Sequence, residues 1–423
     1  MNPRKLLLDS FNAAIAAADP LHIMPQHLPK PPKGRTLVVG AGKAAAAMAL
    51  AVENHWPKKA ALDGLVITRY DHGLSTNKIA VYEAGHPVPD KQGEQIAREI
   101  LMKVKQLDKE DLLLCLMSGG GSSLLSFPVA GISMNDLKNV TRELLHCGAV
   151  IQEINTVRKH LSNIQGGRLA ALCRAPILAL IISDVTGDEP TNIASGPCAP
   201  DPTTSQDALS ILKRYRISKP IPVIKILTSG AKSRLNETPK PGDIIFRNVE
   251  NRVIATSHNS LVAAGDFFRS KGIPTVILGD TVTGEARQVA KVYAALVHEI
   301  RQYGHPWGPP IVLISGGETT VTLNGKGRGG RNTEFLLSLA IELAGAKKIY
   351  ALACDTDGID GLENNAGAIV TPDSLCRAKQ LGINFTALLA NNDTYTFFNQ
   401  MGDLVVTNPT RTNVNDYRAI MIL

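Results

Sequence analysis

The chain has 423 residues, of which 44% are hydrophobic and 20% are charged, so it has the composition of a globular protein and a length that favours two domains. Its formal net charge is +7 and only 4% of its residues are aromatic, which argues against a nucleic-acid partner and favours small anionic ligands. No apolar run reaches the ~20 residues of a membrane helix or suits a signal peptide, and the six cysteines are widely spaced, so we expect a cytoplasmic protein without zinc or disulfides.

The first half of the chain is predicted to alternate helices with buried strands. Residues 5–18 have apolar side chains at helical spacing, and Asp19-Pro20 ends that helix. Ser133, with Asp136 three residues later, is the expected N-cap of another helix. Continuous apolar runs, which are typical of strands in a parallel sheet covered on both faces, lie at 36–39, 64–68, 112–117 and 177–182.

The second half begins after the segment that looks least structured. Residues 219–241 are rich in proline and polar side chains, and a new alternation of strands and helices starts at 251–255. Apolar runs at 311–314 and 350–353 each lead into a turn rich in glycine or aspartate. We therefore expect two α/β domains, formed by residues 1–237 and 238–423.

The first predicted strand ends at a turn with the pattern G-x-G-x-x-A, formed by residues 40–45. In dinucleotide-binding proteins this pattern lets backbone amides and a helix N-terminus meet a pyrophosphate, and Arg69 could bind a 2′-phosphate. The alternative is that Gly40 and Gly42 only allow close packing of strand and helix. Lys43 gains nothing from the helix dipole at this position, which favours an anion beside it.

A second glycine-rich loop follows the strand at 112–117. Its backbone has few side chains to hinder phosphate or carboxylate oxygens, and hydroxyls flank it on both sides. It is not a Walker A loop, because no strand is followed by G-x-x-x-x-G-K-[ST]. A flexible turn is the alternative to a binding role. The candidate binding residues are Ser118, Gly119, Gly120, Gly121, Ser122 and Ser123.

Two acidic turns also follow predicted strands. Carboxylates at strand ends are common ligands of Mg²⁺ and common general bases, although Asp-Gly pairs also form ordinary turns. Asp184 is the candidate catalytic residue of these turns, as a general base or as a metal ligand. The candidate metal ligands are Asp184, Asp188, Asp355 and Asp357.

Two basic segments complete the candidate sites. Residues 325–332 form a glycine-hinged basic loop before a predicted helix, where an arginine could neutralise a transferring phosphoryl group. Arg158 belongs to a second basic cluster at 155–168. A solvated loop and a solvated helix face are the alternatives for these segments. The remaining candidate nucleotide- or substrate-binding residues are Arg158, Gly316, Gly317, Glu318 and Asn332.

Taken in order, these motifs resemble the class II glycerate 2-kinase family, whose C-terminal module is called MOFRL and whose members have also been labelled hydroxypyruvate reductases. The resemblance covers almost the whole chain. Thr333 and Asn408 depart from the family pattern, which usually has glutamine and glycine there, but the charged residues match. The matching segments are 40–44, 85–89, 118–123, 155–170, 183–197, 315–319, 329–332, 356–361, 392–395 and 412–416.

The resemblance implies a fold, a reaction and two catalytic residues. The fold would be a Rossmann-like N-terminal domain and a MOFRL-type α/β domain, with the active site in the cleft between them. The reaction would be ATP-dependent, Mg²⁺-dependent phosphorylation of D-glycerate at its 2-hydroxyl. The lysine and arginine that the family is held to use in catalysis fall on Lys43 and Arg331.

Two other functions remain open from the sequence. An NAD(P)H-dependent hydroxypyruvate reductase would use the G-x-G-x-x-A turn, but it would not need two acidic turns and several anion-binding loops. A non-catalytic regulator that binds sugar phosphates would bind ligand without turnover, and no DNA-reading element accompanies it. The nucleotide preference, the hydroxy acid and the formation of a homo-oligomer also stay open.

Overall fold

A computed structural model describes residues 2–233 and 237–423 of the chain. The chain forms two compact units. We call Pro20–Ile254 the inserted unit, because it interrupts the other one in sequence. The terminal unit combines the N-terminal segment that ends at Asp19 with Ala255–Leu423.

The secondary structure is that of an α/β protein in both units. The strands are β1 Thr36–Ala41, β2 Leu62–Arg69, β3 Ile79–Ala84, β4 Leu112–Met117, β5 Ile177–Ile182, β6 Val249–Ala255, β7 Thr275–Gly279, β8 Gly284–Glu285, β9 Ile311–Ser315, β10 Thr319–Thr320, β11 Ile349–Asp355, β12 Gly367–Val370, β13 Leu404–Val405 and β14 Asp416–Ile422. The α-helices are α1 Pro3–Ala16, α2 Pro20–Ile23, α3 Ala45–His55, α4 Lys91–Val104, α5 Gly121–Leu124, α6 Met134–His146, α7 Ile151–His160, α8 Arg168–Leu172, α9 Ser205–Arg214, α10 Ile221–Ser233, α11 Ser257–Ser270, α12 Ala286–Tyr303, α13 Arg331–Leu343, α14 Ser374–Gln380, α15 Phe385–Ala390 and α16 Thr394–Met401.

The inserted unit is built on a six-stranded sheet with the order β3-β2-β1-β4-β5-β6. The pairs β1–β2, β1–β4, β2–β3 and β4–β5 are parallel. Every residue of β1, β4 and β5 is buried, which explains their continuous apolar sequences. The expected parallel sheet is therefore confirmed, with β4 and β5 at the residues predicted for them.

The boundary between the units differs from the one expected at residue 237. Strand β6 is the sixth strand of the first sheet, so residues 238–254 belong to the inserted unit. The proline-rich stretch before it contains α10, whose Pro222 lies in the first turn, where proline is tolerated. Val223 and Leu227 of α10 are buried in an apolar cluster with residues of α9. Pro220 and Pro222 thus stand at the start of a helix and do not mark a linker.

The terminal unit has a mixed six-stranded sheet with the order β13-β12-β11-β14-β9-β7. Strand β14 runs antiparallel between β11 and β9, and β7–β9 is a parallel pair. Phe335 of α13 and residues of α12 are buried against one face of the sheet, and Phe268 of α11 is buried against the other. Strand β14, which supplies Asp416 and Arg418 to the site described below, is therefore central in this unit.

Helix α1 belongs to the terminal unit although it is the first helix of the chain. Its Phe11 stacks on Tyr417 with 5.8 Å between ring centroids, and the Tyr417 hydroxyl donates to Ser10 Oγ at 2.8 Å. Leu7 and Phe11 are buried in the same cluster as Phe268. The opening helix was predicted close to its observed position, but its partners near the C-terminus were not.

Candidate active site

The loops after β1 and β4 of the inserted unit lie side by side, because these strands are parallel neighbours. Gly42 has φ 137°, and a Cβ there would overlap the backbone and hydroxyl of Ser118. The Lys43 N–H donates to Gly119 O at 2.8 Å, and the Ala44 N–H donates to Ser118 Oγ at 3.0 Å. The two loops are thus bound to each other through the first amides of α3.

This bonding changes the interpretation of the G-x-G-x-x-A turn. A dinucleotide site needs free amides at the start of the helix, and here the amides of Lys43 and Ala44 are already used. A Cβ on Gly40 would lie 2.5 Å from the carbonyl oxygen of Leu116. The structure therefore favours the packing alternative for Gly40 and Gly42 over direct binding of a pyrophosphate.

Gly120 brings a lysine and a histidine together at the tip of the second loop. Its φ is 81°, and a Cβ there would lie 2.9 Å from ring atoms of His86 and 3.5 Å from Lys43 Cγ. The amides of Gly119 and Gly120 donate no hydrogen bond to any residue in the described part of the chain. The Gly119 and Gly120 amides therefore lie at a loop tip next to the side chains of Lys43 and His86, and His86 is not among the residues predicted for the site.

Arg158 lies beside the far end of the same loop. Its Nη1 donates to Asn155 Oδ1 at 2.9 Å, while Ser195 Oγ lies 3.3 Å from that oxygen and 2.9 Å from Ser122 Oγ. No carboxylate in residues 2–233 or 237–423 forms an ion pair with Arg158, and burial lowers the pKa of this guanidinium to about 10. A cation in these surroundings favours a bound anion.

The hydroxyls of the glycine-rich loop divide into two groups. Ser118 Oγ accepts from Ala44, and Ser123 Oγ donates to Gly120 O at 3.1 Å, so both stabilise the loop itself. Ser122 contacts Ser195, which is held in a left-handed conformation with φ 58° after Ala194 with φ 51°. Such conformations are costly for residues with side chains and are concentrated at functional sites.

Lys159 and His160, which follow Arg158 on α7, both have carboxylate partners. Lys159 Nζ lies 2.7 Å from Asp201, and both side chains are almost fully buried. His160 Nε2 lies 2.9 Å from Glu237. Burial alone would raise the pKa of Glu237, but hydrogen bonds from His160 and from the Ser205 N–H outweigh it and lower that pKa to about 2. Arg158 therefore differs from its neighbours in having no carboxylate partner among the described residues.

The acidic turn of the inserted unit follows β5 directly. Asp184 is partly buried next to the strand end. Asp188 has φ 54°, and its N–H donates to Val185 O at 3.1 Å, which closes a turn. Formation of a turn thus explains the backbone conformation of Asp188. The catalytic and metal-binding roles of the Asp184 and Asp188 carboxylates stay predictions.

In the terminal unit, Arg331 is the first residue of α13 and pairs with three carboxylates. Its nitrogens lie 2.9 Å from Glu318, 2.7 Å from Asp355 and 2.8 Å from Asp416. Burial disfavours its cation, but the charges of Asp416, Asp355 and Glu318 outweigh that effect and raise the pKa of Arg331. The Glu318 side chain is 55% exposed, whereas Asp416 is fully buried.

A second arginine, Arg418, lies behind Asp416. It is fully buried, lies 2.5 Å from Asp416 Oδ2, and donates to Gly316 O at 3.0 Å. The Asp416 N–H donates to Gly317 O at 3.2 Å. The turn at Gly316, Gly317 and Glu318, predicted as a binding loop, therefore directs two carbonyls and one carboxylate to this cluster.

The N-terminus of α13 is capped by Asp360. Its carboxylate accepts from the Asn332 N–H at 3.0 Å and from the Thr333 N–H and Oγ1 at 2.9 Å each. Burial raises the pKa of Asp360, and these hydrogen bonds only partly offset it. Asn332 also donates to Asp416 at 2.8 Å. Asn332, predicted to bind nucleotide or substrate, thus has its amide donors directed to carboxylates.

The candidate metal ligands are dispersed over separate contacts. Asp355 pairs with Arg331, and Asp357 Oδ1 accepts from the Ile359 N–H at 2.9 Å. Within the described ranges, no group of three or more histidines, cysteines, aspartates or glutamates is arranged to hold a metal ion. Mg²⁺ bound with nucleotides often takes only one or two protein carboxylates, with phosphates and water as its other ligands. The metal-binding roles of these aspartates stay predictions.

Two family models match the chain. Residues 6–228 match a domain of unknown function, DUF4147, and residues 311–416 match the MOFRL family. The D-glycerate 2-kinase of Thermotoga maritima is 39% identical over 98% of this chain and 97% of its own. The chain belongs to the class II glycerate 2-kinase family.

Other family members and two crystal structures agree with this assignment. An Agrobacterium vitis protein with the provisional name hydroxypyruvate reductase is 49% identical over 100% of this chain and 95% of its own. Human glycerate kinase is 33% identical over 82% of this chain and 74% of its own. The crystal structure of a Thermotoga maritima glycerate kinase has a TM-score of 0.88 at 38% identity, covering 99% of both chains.

The second crystal structure extends the structural likeness to an archaeal protein. That protein, from Pyrococcus horikoshii, has a TM-score of 0.82 at 37% identity and covers 100% of this chain and 99% of its own. The expected fold class of the family is thus confirmed. Within residues 2–233 and 237–423, no helix combines the length and apolar content needed to cross a membrane.

Proposed function

We propose that this family member transfers the γ-phosphoryl group of ATP to the 2-hydroxyl of D-glycerate in the cytoplasm, with Mg²⁺ bound to the nucleotide. The proposal is supported by the Thermotoga maritima relative, whose name states D-glycerate 2-kinase activity and which aligns over nearly all of both chains. The glycerate kinase name also extends to the human relative.

The observation that carries the proposal is the group of anion-binding elements around the glycine-rich loop. The group combines Lys43, the amides of Gly119 and Gly120, and an Arg158 without a carboxylate partner in the described chain. Phosphoryl transfer needs positioning and charge neutralisation more than covalent chemistry, and these groups provide both. In this proposal Lys43 and the two amides bind oxygens of the transferred phosphate.

Arg331 is proposed to stabilise charge on the phosphoryl group through one edge of its guanidinium. Its Nε and Nη2 face the buried carboxylates of Asp416 and Asp355, while Nη1 faces the exposed Glu318. Nη1 can therefore exchange Glu318 for a phosphoryl oxygen at small cost, because an exposed ion pair contributes about 0–1 kcal/mol.

Aspartates at strand ends are proposed to hold the nucleotide's metal ion and to act as the base. Bound Mg²⁺ would neutralise phosphate charge, and Asp184 or Asp355 would hold it with a carboxylate oxygen. Asp184 is the proposed acceptor of the glycerate hydroxyl proton if it does not bind the ion. Replacing Asp184 by Asn is expected to lower kcat without changing the affinity for D-glycerate.

The alternative function is reduction of hydroxypyruvate with NAD(P)H, which the provisional name of the Agrobacterium vitis relative suggests. The amide bonding of Lys43 and Ala44 argues against it, because these two amides at the helix start already have partners within the protein. Two assays separate the functions. Formation of ADP and 2-phosphoglycerate from ATP and D-glycerate supports the kinase, and oxidation of NADPH by hydroxypyruvate without ATP supports the reductase.

The role of Lys43 is tested by replacing it with alanine. Lys43→Ala is expected to lower kcat by at least about 1,000-fold, which is the scale of removing a group that stabilises transition-state charge. Circular dichroism should show an unchanged fold. Lys105→Ala, at an exposed lysine of the same unit, serves as the matched control. Equal turnover of the two variants would refute the assigned role.

A further inference from the structure

We infer that Arg158, with the hydroxyl of Ser122 that Ser195 holds in place, binds the carboxylate of the acceptor substrate and so restricts the enzyme to small 2-hydroxy acids. The inference rests on the proposed phosphotransfer and adds the group that recognises the acceptor. It also explains why the 2-hydroxyl is the one phosphorylated, because that hydroxyl is on the carbon next to the carboxylate. Holding the carboxylate therefore positions the reacting oxygen.

The first argument is charge. Arg331 and Arg418 both have aspartate partners, whereas Arg158 has no ion pair with any residue of the described chain and hydrogen-bonds only to the neutral amide of Asn155. A partly buried guanidinium without a counterion is unfavourable, and an anionic ligand supplies the missing charge. The single positive charge matches a single carboxylate.

The second argument is the set of donors. A guanidinium has five N–H donors in a plane, and one bond to Asn155 leaves a free edge that suits the two oxygens of a carboxylate. When Ser195 donates its proton to Ser122 Oγ, the Ser122 hydroxyl keeps its own proton for a ligand. Ser122 is only partly buried, so a ligand can reach it.

The third argument is position. Ser122 is two residues beyond Gly120, where an added Cβ would meet both Lys43 and His86. Ser195 is held against Ser122 by a left-handed backbone that is costly for a residue with a side chain. One loop therefore connects a carboxylate site at Arg158 to the proposed phosphate-binding groups at Lys43.

The test is steady-state kinetics with Arg158→Gln, Arg158→Lys and a matched control. Arg158→Gln is expected to raise the KM for D-glycerate by about 100-fold, the scale of losing one partner of a buried charge pair. The KM for ATP should stay within about two-fold of wild type. The KM of Arg158→Lys for D-glycerate should lie between those of wild type and Arg158→Gln. The control is Arg142→Gln on α6, because Arg142 also donates to an asparagine three residues earlier, at 3.3 Å, but is exposed.

A second variant and a second acceptor keep the test independent of folding defects. Ser122→Ala is expected to raise the KM for D-glycerate by about ten-fold, as for one lost hydrogen bond to a charged ligand. Glycerol lacks the carboxylate, so any residual phosphorylation of glycerol should be equal in wild type and Arg158→Gln. A raised KM for ATP with an unchanged KM for D-glycerate would place Arg158 at the nucleotide and overturn the inference.

Failure of the proposed kinase function can be distinguished from failure of the carboxylate site. If wild type forms no phosphoglycerate, the kinase proposal fails, and calorimetric titration of D-glycerate into wild type and Arg158→Gln then decides the inference. Binding that is lost in Arg158→Gln would support the carboxylate site even without turnover. Equal binding by both proteins, or binding by neither, would overturn it.

Discussion

The two units hold their key arginines in opposite ways. Arg158 of the inserted unit bonds to a neutral amide, whereas Arg331 of the terminal unit pairs with three carboxylates. Both are partly buried. An arginine without a counterion is suited to receive an anion, and one between carboxylates is held in place and already neutralised. The comparison teaches that one chain can leave the guanidinium of one arginine without a carboxylate while it fixes most of another with carboxylates.

The largest effect is expected from removing the buried charge between Arg331 and Arg418. Asp416→Asn leaves both guanidinium groups short of a fully buried carboxylate, and should lower the free energy of unfolding by about 3–5 kcal/mol. Urea denaturation followed by circular dichroism measures this change. Asp373→Asn, which removes an exposed partner of Arg377, is the control and should change it by less than about 1 kcal/mol.

The difference between Arg158 and Arg331 can be removed by giving Arg158 a carboxylate partner. Asn155→Asp places a negative charge at the oxygen that Arg158 Nη1 already contacts. The variant is expected to stay folded and to raise the KM for D-glycerate by about 10- to 100-fold, because the substrate must then displace an internal anion. A KM like that of wild type would show that a counterion at Arg158 does not affect substrate binding.

The contact of Glu237 with His160, two residues after Arg158 on α7, gives a prediction about pH dependence. Glu237 has its pKa lowered from 4.5 to about 2, so its stabilising effect is complete above about pH 4.5 and is lost as the pH falls towards 2. Glu237→Gln should therefore weaken the loss of stability over this range, by about 1–2 kcal/mol after solvent screening. Urea titrations at pH 3 and 6 measure the difference. The same acid dependence in both proteins would contradict this assignment.

The smallest effect is expected at the exposed partner of Arg331. Glu318→Gln removes a carboxylate that is 55% exposed, so the free energy of unfolding should change by less than about 1 kcal/mol. The same denaturation experiment compares it directly with Asp416→Asn. A loss as large as that of Asp416→Asn would mean that all three carboxylates of Arg331 are structurally equivalent.

Much of the fold followed from local sequence. Strands β4 and β5 were predicted at their observed residues because fully buried parallel strands have continuous apolar runs. The Ser133 cap of α6 was also confirmed, since its capping box needs only residues three apart. The boundary between the units differed because the position of β6 at the end of the first sheet depends on long-range pairing, which no local pattern records.

The site was predictable to a lesser degree. The glycine-rich loop and Lys43 were recognisable from glycine spacing and an unexpected charge at a helix start. Ser195 and Arg418 were missed, because a single serine and an arginine within an apolar strand carry no motif of their own. Arg158 and Lys159 are adjacent on α7, but Lys159 pairs with Asp201, 42 residues away, and this difference becomes visible only in three dimensions.

The bond between Ser10 and Tyr417 joins residues 407 positions apart. During translation, α1 therefore leaves the ribosome long before the strand that covers it. Its apolar face stays uncovered while the inserted unit is synthesised. Strand β14, the last to be made, enters the middle of its sheet. A nascent chain that stops before Asp416 would thus present an open sheet and an uncovered helix, which are features that chaperones and proteases recognise.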